Sequence, residues 1–229
     1  MHEDFVHFRG VQELSLNGWE RYSRNGITDR GFSNLIGIQK LDMSHNHFVG
    51  ITDEAFTYLK GIKELNMSWC YQDSITNEAF QNLVGIHTLR MEGCSQETIT
   101  NDCLKYLKGI HSLYISSFSF QSDEGFHHLK GIKVLKMRDK SISERVEFFE
   151  NLKGIQVLSM GCSSNFRENI SLSPEIFKNI SGVKELDISA YDLSLVEERY
   201  KVFTNLKGIQ KLKMRGMVFP EEAKQLETS

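Results

Sequence analysis

The stretch LKGIKELNMSWC, residues 59–70, decides the fold because its first four letters return along the chain. Leu-Lys-Gly-Ile occurs at four later places, and the broader pattern Gly-(Ile/Val)-x-x-Leu occurs nine times, with 22 to 28 residues between successive glycines. A period of this length predicts a stack of similar units, each of which buries its apolar face against its neighbours. The nine glycines are Gly10, Gly37, Gly61, Gly85, Gly109, Gly131, Gly154, Gly182 and Gly208.

The first half of each unit predicts a short strand. After Gly61, the apolar residues Ile62, Leu65 and Met67 are interspersed with polar ones, which is typical of a strand with one buried face. Strands from successive units then lie side by side, and their outward residues form columns across the sheet.

The second half of each unit predicts a short helix. ITDEAFTYL at 51–59 is echoed by ITNEAFQNL at 75–83 and ITNDCLKYL at 99–107. Thr52 is a suitable N-cap, and the acidic residues after it suit the positive field of the first helical turn. Gly61 follows the helix because the chain reverses there through a positive φ, which glycine adopts without steric cost.

The repeated segments GIKELNMSWC and GIHTLRMEGC resemble leucine-rich repeats, whose strand and turn read L-x-x-L-x-L-x-x-(N/C). A cysteine at the last position, followed by ITDEAF, resembles the cysteine-containing subclass of F-box/leucine-rich-repeat proteins in ubiquitin ligases. The repeats are also similar to families in protists and amoeba-infecting giant viruses. The resemblance implies an α/β solenoid, a right-handed horseshoe arc of about nine repeats with a parallel sheet on its concave side and short helices on its convex side. The residues that carry it are Ile62, Leu65, Met67 and Cys70, and Ile86, Leu89, Met91 and Cys94.

We expect one domain over residues 1–229. Residues 1–9, with Phe5 and Phe8, are interpreted as the remnant of a preceding helix or as an N-terminal cap. Residues 216–229 are interpreted as a C-terminal cap, in which a short polar helix starts at Pro220.

Composition indicates an intracellular protein, cytoplasmic or nuclear. A formal charge of −3 and a pI near 6.3 give no general attraction for nucleic acid, so protein partners are expected and nucleic acid is not. The N-terminus lacks the basic and apolar regions of a signal peptide, and no apolar run is long enough to cross a membrane. The cysteines are too few and too scattered for a disulfide framework, so we expect buried, reduced thiols at Cys70, Cys94, Cys103 and Cys162.

No catalytic motif is present, and neither a cofactor nor a metal is expected. The sequence lacks a nucleophile elbow, a phosphate-binding loop and an H-E-x-x-H motif. His87 and His111 occupy equivalent positions in adjacent repeats and should stack about 5 Å apart. Two imidazoles alone are too few for zinc. The segment LSPEIFKNI at 172–180 resembles the start of an F-box, yet Ile176 and Phe177 match the apolar helix positions of the other repeats.

The main candidate binding site lies on the outward strand face. Counting along the repeats brings Arg90, Tyr114, Lys136 and Arg138 to the middle of the predicted sheet. Arginine and tyrosine are enriched at protein-binding hot spots, whereas the alternative is a solvated strand face kept soluble by basic residues.

Two further groups are candidate contact surfaces. The last strand carries a secondary basic patch of Lys211, Lys213 and Arg215, for which the simpler interpretation is the protection of an exposed sheet edge. Aromatic residues at turn positions form a rim that would mark a contact surface if it were exposed. These rim residues are Trp69, Tyr71, Phe118 and Phe120.

The sequence therefore predicts a non-enzymatic scaffold that binds a protein partner through the concave sheet or its rim. The alternative is the substrate-recognition part of an F-box-type ubiquitin ligase adaptor, which the cysteine-type repeats suggest. A less favoured alternative is a cryptic enzyme or metal-binding protein, for which the sequence offers no constellation of residues.

Overall fold

The computed structural model divides the chain into two compact units, Met1–Ile132 and Lys133–Ser229. Each unit is a run of strands with short helices between them, as the repeat predicts. The residues that the structure describes are 5–17, 27–46, 50–116, 125–138, 146–161, 172–192 and 204–215.

The first unit contains five described strands that pair in chain order, all parallel. The conserved spacing after each repeat glycine places one leucine per strand in direct register, and these side chains face the core. The strands are β1 (Glu13–Ser15), β2 (Lys40–Asp42), β3 (Glu64–Asn66), β4 (Thr88–Met91) and β5 (Ser112–Ser116).

The second unit contains four described strands, also parallel and in chain order. Leu135, Leu158, Leu186 and Leu212 are aligned across them, so the same leucine column is maintained. The pairing of the last two strands is irregular after Asp187. The strands are β6 (Val134–Arg138), β7 (Val157–Ser159), β8 (Glu185–Asp192) and β9 (Lys211–Arg215).

The helices are shorter and tighter than the sequence predicts. The helix Asp53–Thr57 is α-helical, but Asn77–Leu83 and Asn101–Leu107 are 3-10 helices. Seven residues of 3-10 helix span a greater length than seven residues of α-helix. Phe80 and Leu83 are three residues apart, so both side chains lie on the buried side of the 3-10 helix. The other described α-helices are Asp29–Phe32, Val146–Glu150 and Glu175–Asn179, and the other 3-10 helices are Val6–Phe8, Ser33–Leu35, Phe126–Leu129 and Thr204–Leu206.

The apolar helix residues pack against the apolar strand residues in each unit. Phe56 and Phe80 in the first unit, and Phe177 in the second, have no solvent-exposed surface. The methionine column belongs to this core, since Met67 and Met91 are also fully buried. These methionines therefore serve as packing residues of the core.

Each repeat glycine ends a helix, as predicted. Gly61 has φ 87°, and the nine repeat glycines have φ between 78° and 90°. A Cβ atom at Gly61 would meet nothing within 4 Å, so the backbone conformation, not space, requires glycine there. Directly after it, the Ile62 N–H donates to the Leu59 carbonyl at 3.0 Å and closes the turn.

The predicted threonine caps are confirmed, and they carry an additional bond between repeats. The Thr76 hydroxyl oxygen accepts from the Glu78 N–H at 3.1 Å. The carboxylate of Asp53, one repeat earlier, accepts from the Thr76 N–H and the Thr76 hydroxyl, both at 2.7 Å. Asp29 binds Thr52 in the same way. Helix starts are therefore linked from one repeat to the next.

The two predicted ends are only partly described. Phe5 is buried and meets Phe8 edge to face at 5.3 Å, and the short helix Val6–Phe8 lies where a helix remnant was expected. Residues 1–4 and the predicted C-terminal cap at 216–229 lie outside the described residues.

Candidate binding surface on the outward strand face

The strand register of the first unit aligns one column of outward residues, which includes Arg90 and Tyr114. Ser15, Asp42, Asn66, Arg90 and Tyr114 are consecutive Cα partners from β1 to β5. Adjacent members of such a column lie about 5 Å apart, close enough for side chains to touch. Their side chains can therefore act together.

Arg90 and Tyr114 are in direct contact. The guanidinium carbon of Arg90 lies 3.7 Å from the centre of the Tyr114 ring, a cation–π geometry. Both residues are partly buried. Within the described part of the chain, the Arg90 side chain makes no hydrogen bond or ion pair, so the ring orders the guanidinium while its N–H groups keep their donor capacity.

The polar residues beside this pair are bound to their own strands. One carboxylate oxygen of Asp42 accepts from the Ser44 N–H at 2.9 Å and from its hydroxyl at 2.6 Å. The side-chain oxygen of Asn66 accepts from the Ser68 N–H at 3.1 Å. Arg90 is therefore the member of this group with the most unused donors.

A neighbouring column of serines is buried, although it lies two residues after the outward column, where strand alternation alone would place it on the same face. Ser44, Ser68 and Ser116 are all buried. The Ser44 hydroxyl donates to the Asp42 carboxylate and accepts from the Asn17 side-chain amide at 3.1 Å, whereas the other two hydroxyls bind backbone groups of adjoining turns. The Ser68 hydroxyl oxygen accepts from the Glu92 N–H at 3.2 Å, and that of Ser116 accepts from the Gly93 N–H at 2.9 Å. These serines support the turns and offer little contact surface.

In the second unit, the outward column consists of Lys136, Ser159, Asp187 and Lys213. Lys136 and Lys213 are exposed, and a shallow depression of about 70 Å³ lies among these residues. Arg138 is the last residue of β6. The predicted grouping of Lys136 and Arg138 with Arg90 and Tyr114 stays a prediction, since the two pairs belong to different units.

The secondary basic patch on β9 is matched by acidic residues of β8. The ammonium of Lys211 lies 3.5 Å from the Glu185 carboxylate, and that of Lys213 lies 3.7 Å from the Asp187 carboxylate. Arg215 is the last residue of β9. Because the two lysines have carboxylates beside them, the patch is less basic than its sequence suggests, which favours the interpretation as edge protection.

The predicted histidine pair is present. The rings of His87 and His111 stack with centroids 4.4 Å apart. Each ring bonds a hydroxyl of the next residue through Nδ1, Thr88 at 3.1 Å and Ser112 at 2.9 Å. Among the described residues, no group of three or more histidine, cysteine or acidic side chains could hold a metal ion.

The three described cysteines are buried thiols, and two of them bind the backbone, whereas Cys162 lies outside the described residues. Cys70 donates from Sγ to the Met43 carbonyl at 3.2 Å, and Cys94 donates to the Met67 carbonyl at 3.1 Å. Burial raises the pKa of Cys94 from 9.0 to about 11, and burial also raises the pKa of Cys103. Such thiols are poor nucleophiles at neutral pH.

The sequence identified part of the aromatic rim but missed the contacts that build it. Trp69 and Tyr71 are among the exposed large side chains, whereas Phe118 and Phe120 lie outside the described residues. We call the (N/C) position that ends L-x-x-L-x-L-x-x-(N/C) the ladder position; Asn46, Cys70 and Cys94 occupy it. His45 stacks on Trp69, and the sequence could have indicated this contact, because both residues directly precede the ladder position of their repeats.

None of the described helices has both the length and the apolar character needed to cross a bilayer.

Comparison with known proteins gives structural neighbours only. No protein-family model matches the chain, and no curated protein sequence matches it. It is similar to a chain of the TLR13–ssRNA13 complex, with 21% identity and a TM-score of 0.57 over 89% of this chain and 32% of that one. It is also similar to a chain of the Drosophila Toll–Spatzle complex, with 14% identity and a TM-score of 0.61 over 82% of this chain and 28% of that one.

A glycosylated form of the Toll–Spatzle complex gives a TM-score of 0.64 at 13% identity, over 93% of this chain and 28% of that chain. The protein thus spans about a third or less of the length of these neighbours. At such low identities the likeness shows the fold alone. Together with the strand register and the repeat glycines, it establishes a leucine-rich repeat fold.

Proposed function

We propose that this protein is a non-enzymatic scaffold that binds a protein partner through its outward strand face, with Arg90 and Tyr114 as the anchor. The observation that carries the proposal is their contact at 3.7 Å on adjacent strands. A preordered arginine loses less side-chain entropy on binding, and arginine and tyrosine dominate many protein interfaces. The structural neighbours support a binding role, since they come from complexes with Spatzle and with an RNA.

In the second unit, we propose Lys136 and Arg138 as a further candidate contact. The β9 patch of Lys211, Lys213 and Arg215 is a weaker candidate, because acidic residues lie beside two of its lysines. We propose a protein partner before a nucleic acid, because the acidic balance of the chain opposes a polyanion. The RNA in the TLR13 complex makes single-stranded RNA the second ligand class to test.

The test is affinity purification with the double variant Arg90→Ala/Tyr114→Ala. The chain offers a matched control on its helix side, where the Lys105 ammonium lies 4.8 Å from the centre of the Tyr106 ring. We expect Arg90→Ala/Tyr114→Ala to lower the amount of protein partner retained by about tenfold or more. Lys105→Ala/Tyr106→Ala should retain the same amount as the wild type. Equal retention by both double variants would refute the proposed surface. The quadruple alanine variant, which includes Lys136 and Arg138, measures the contribution of the second unit.

A second candidate function is substrate recognition within an F-box-type ubiquitin ligase adaptor. It is favoured by the two cysteine ladder bonds, in which Cys70 and Cys94 bind the turn of the preceding repeat. The test is a pull-down probed for the core ligase subunits. Recovery of these subunits supports the adaptor role, and their absence beside other retained partners argues against it.

We also propose that the protein acts in the cytoplasm or nucleus. The described cysteines Cys70, Cys94 and Cys103 are free thiols, as expected in a reducing compartment. Imaging of a fluorescent fusion tests the location.

A broad activity screen and metal analysis of the purified protein test the proposal that it is not an enzyme and takes no metal.

A further inference from the structure

Three equivalent positions in successive repeats have left-handed backbone conformations. His45, Trp69 and Gly93 directly precede the ladder residues, with φ of 57°, 63° and 71°. A residue with a Cβ atom loses roughly 1–2 kcal/mol in this conformation, whereas glycine does not. Trp69, a tryptophan, therefore occupies a position where the backbone conformation favours glycine.

The neighbouring residues hold Trp69 in place without burying it. Its indole lies over Gly93, where a Cβ atom would approach the ring to 2.6 Å. On its other side, the His45 ring is nearly parallel at 5.9 Å, and the Tyr71 ring is edge-on at 6.4 Å. Trp69 nevertheless remains 42% exposed and Tyr71 38% exposed. We call His45, Trp69 and Tyr71 the aromatic ledge.

The turns around the aromatic ledge are acidic, although lysines lie elsewhere in the same repeats. The turn segments 67–76 and 91–100 contain three acidic residues and no lysine or arginine. Arg90 points along the outward strand face, where it contacts Tyr114. Exposed carboxylates follow the ledge in its own turn, at Asp73, and in the turn of the next repeat, at Glu97. The three acidic residues of these turns are Asp73, Glu92 and Glu97.

We propose that the aromatic ledge binds a lysine- or arginine-bearing segment of a partner protein. A cation can stack on the exposed part of an indole or phenol ring, and its aliphatic stem can cover apolar surface that is otherwise wet. The surrounding carboxylates attract the basic segment and repel nucleic acid. This site rests on different residues from the Arg90–Tyr114 anchor and selects the opposite charge.

The direct probe is nuclear magnetic resonance of the two tryptophan indole N–H signals, Trp19 and Trp69, assigned with Trp69→Phe. The ligand is a capped peptide of alternating arginine and glycine, with a glutamate–glycine peptide of equal length as its control. We expect the arginine peptide to shift the Trp69 signal with saturation, more strongly at low salt, and the glutamate peptide to leave it unchanged. Equal responses to both peptides, or none to the arginine peptide, would overturn the proposal.

Two variants separate binding from folding. Trp69→Gly removes the ring but relieves the backbone, so we expect native stability and arginine-peptide binding weaker by about fivefold, measured by anisotropy of a labelled peptide. Asp73→Asn/Glu97→Gln keeps the ring and should weaken binding to a similar extent. Unchanged binding in both variants contradicts the proposal. Sedimentation that showed self-association through Trp69 would identify a second copy as the occupant, and would contradict it too.

Discussion

Residues 50–116 and the second unit have the same apolar core but different polar bonding. Leu89 and Leu158 are fully buried in parallel register, and Phe80 and Phe177 fill equivalent helix positions without exposed surface. In residues 50–116, threonine caps bind acidic or amide side chains of the preceding repeat. In the second unit, the described helix Glu175–Asn179 begins after Pro174 with no side-chain cap bond.

The ladder positions differ in the same way. Cys94 fits beneath its turn and donates to the Met67 carbonyl, whereas β8 places the buried ring of Tyr191 at the equivalent position. The glycine spacing follows this difference: it is 24 residues three times in succession from Gly37 to Gly109, and between 23 and 28 residues after Gly131. The leucines and glycines thus suffice for parallel register, while the polar bonds fix the length and shape of each turn.

The largest expected effect is the loss of stability when a buried phenylalanine is truncated, and it tests whether the cores of the two units are packed equally well. Phe80→Ala and Phe177→Ala each leave a cavity at a fully buried site, so each should lower the free energy of unfolding by about 3–5 kcal/mol. Hydrogen exchange followed by peptide mass spectrometry measures the loss separately in each unit. Phe→Leu at both positions is the control and should cost less. A much smaller loss for Phe177→Ala would show that the second unit is loosely packed.

The second prediction concerns the bonds between helix starts, which the structure describes at Thr52, Thr76 and Thr100. Asp53→Ala removes two hydrogen bonds to Thr76 and should destabilise the first unit by about 2 kcal/mol. Asp53→Asn should cost far less, because Asn77 already binds the N–H and the hydroxyl of Thr100 at 2.9 Å in the next repeat. Urea unfolding compares the two variants. An equal loss in both would mean that the negative charge matters and not the geometry.

The repeat period predicted the strand register, the helix-ending glycines, the threonine caps and the histidine stack. These features depend on local chain geometry, which recurs with every copy of the motif. The period did not predict the 3-10 form of Asn77–Leu83, since hydrophobic spacing at i, i+3 fits both helix types. It also missed the Asp53–Thr76 bond, because both side chains have a simpler local role at a helix N-terminus.

The candidate site was predicted less completely. The register alone brought Arg90 beside Tyr114, since column positions follow from counting. The burial of Ser68 and Ser116 was missed because their hydroxyls accept hydrogen bonds from backbone N–H groups of neighbouring turns, a role that strand alternation does not encode. The left-handed conformation of Trp69 was missed because bulky residues rarely adopt it.

The third prediction is that the two units respond equally to loss of a repeat glycine. Gly61→Ala and Gly182→Ala each place a Cβ atom on a residue with φ near 85°, where nothing within 4 Å obstructs it. Each should therefore destabilise its own unit by about 1–2 kcal/mol through the backbone alone. Exchange rates of peptides from each unit measure this. Lys60→Ala, on the exposed neighbour of Gly61, is the control and should be nearly neutral.

The smallest expected effect is a pH-dependent contribution of the buried Cys94 thiol to the stability of the first unit. The pKa of Cys94 is about 11 in the folded protein because of burial, against an ordinary value of 9.0. The contribution of the Cys94 thiol to the free energy of unfolding is fully present below pH 9. It declines as the pH rises from 9 through 11, because the thiol ionises at a lower pH in the unfolded chain than in the folded protein. At pH 10 the loss amounts to about 1 kcal/mol relative to pH 8.

Cys94→Ala should lack this component, so the stability difference between wild type and variant should narrow by that amount in urea unfolding at the two pH values. A constant difference would mean that the thiol is hydrated in the folded protein, and that the ladder of the first unit is no drier than the surface.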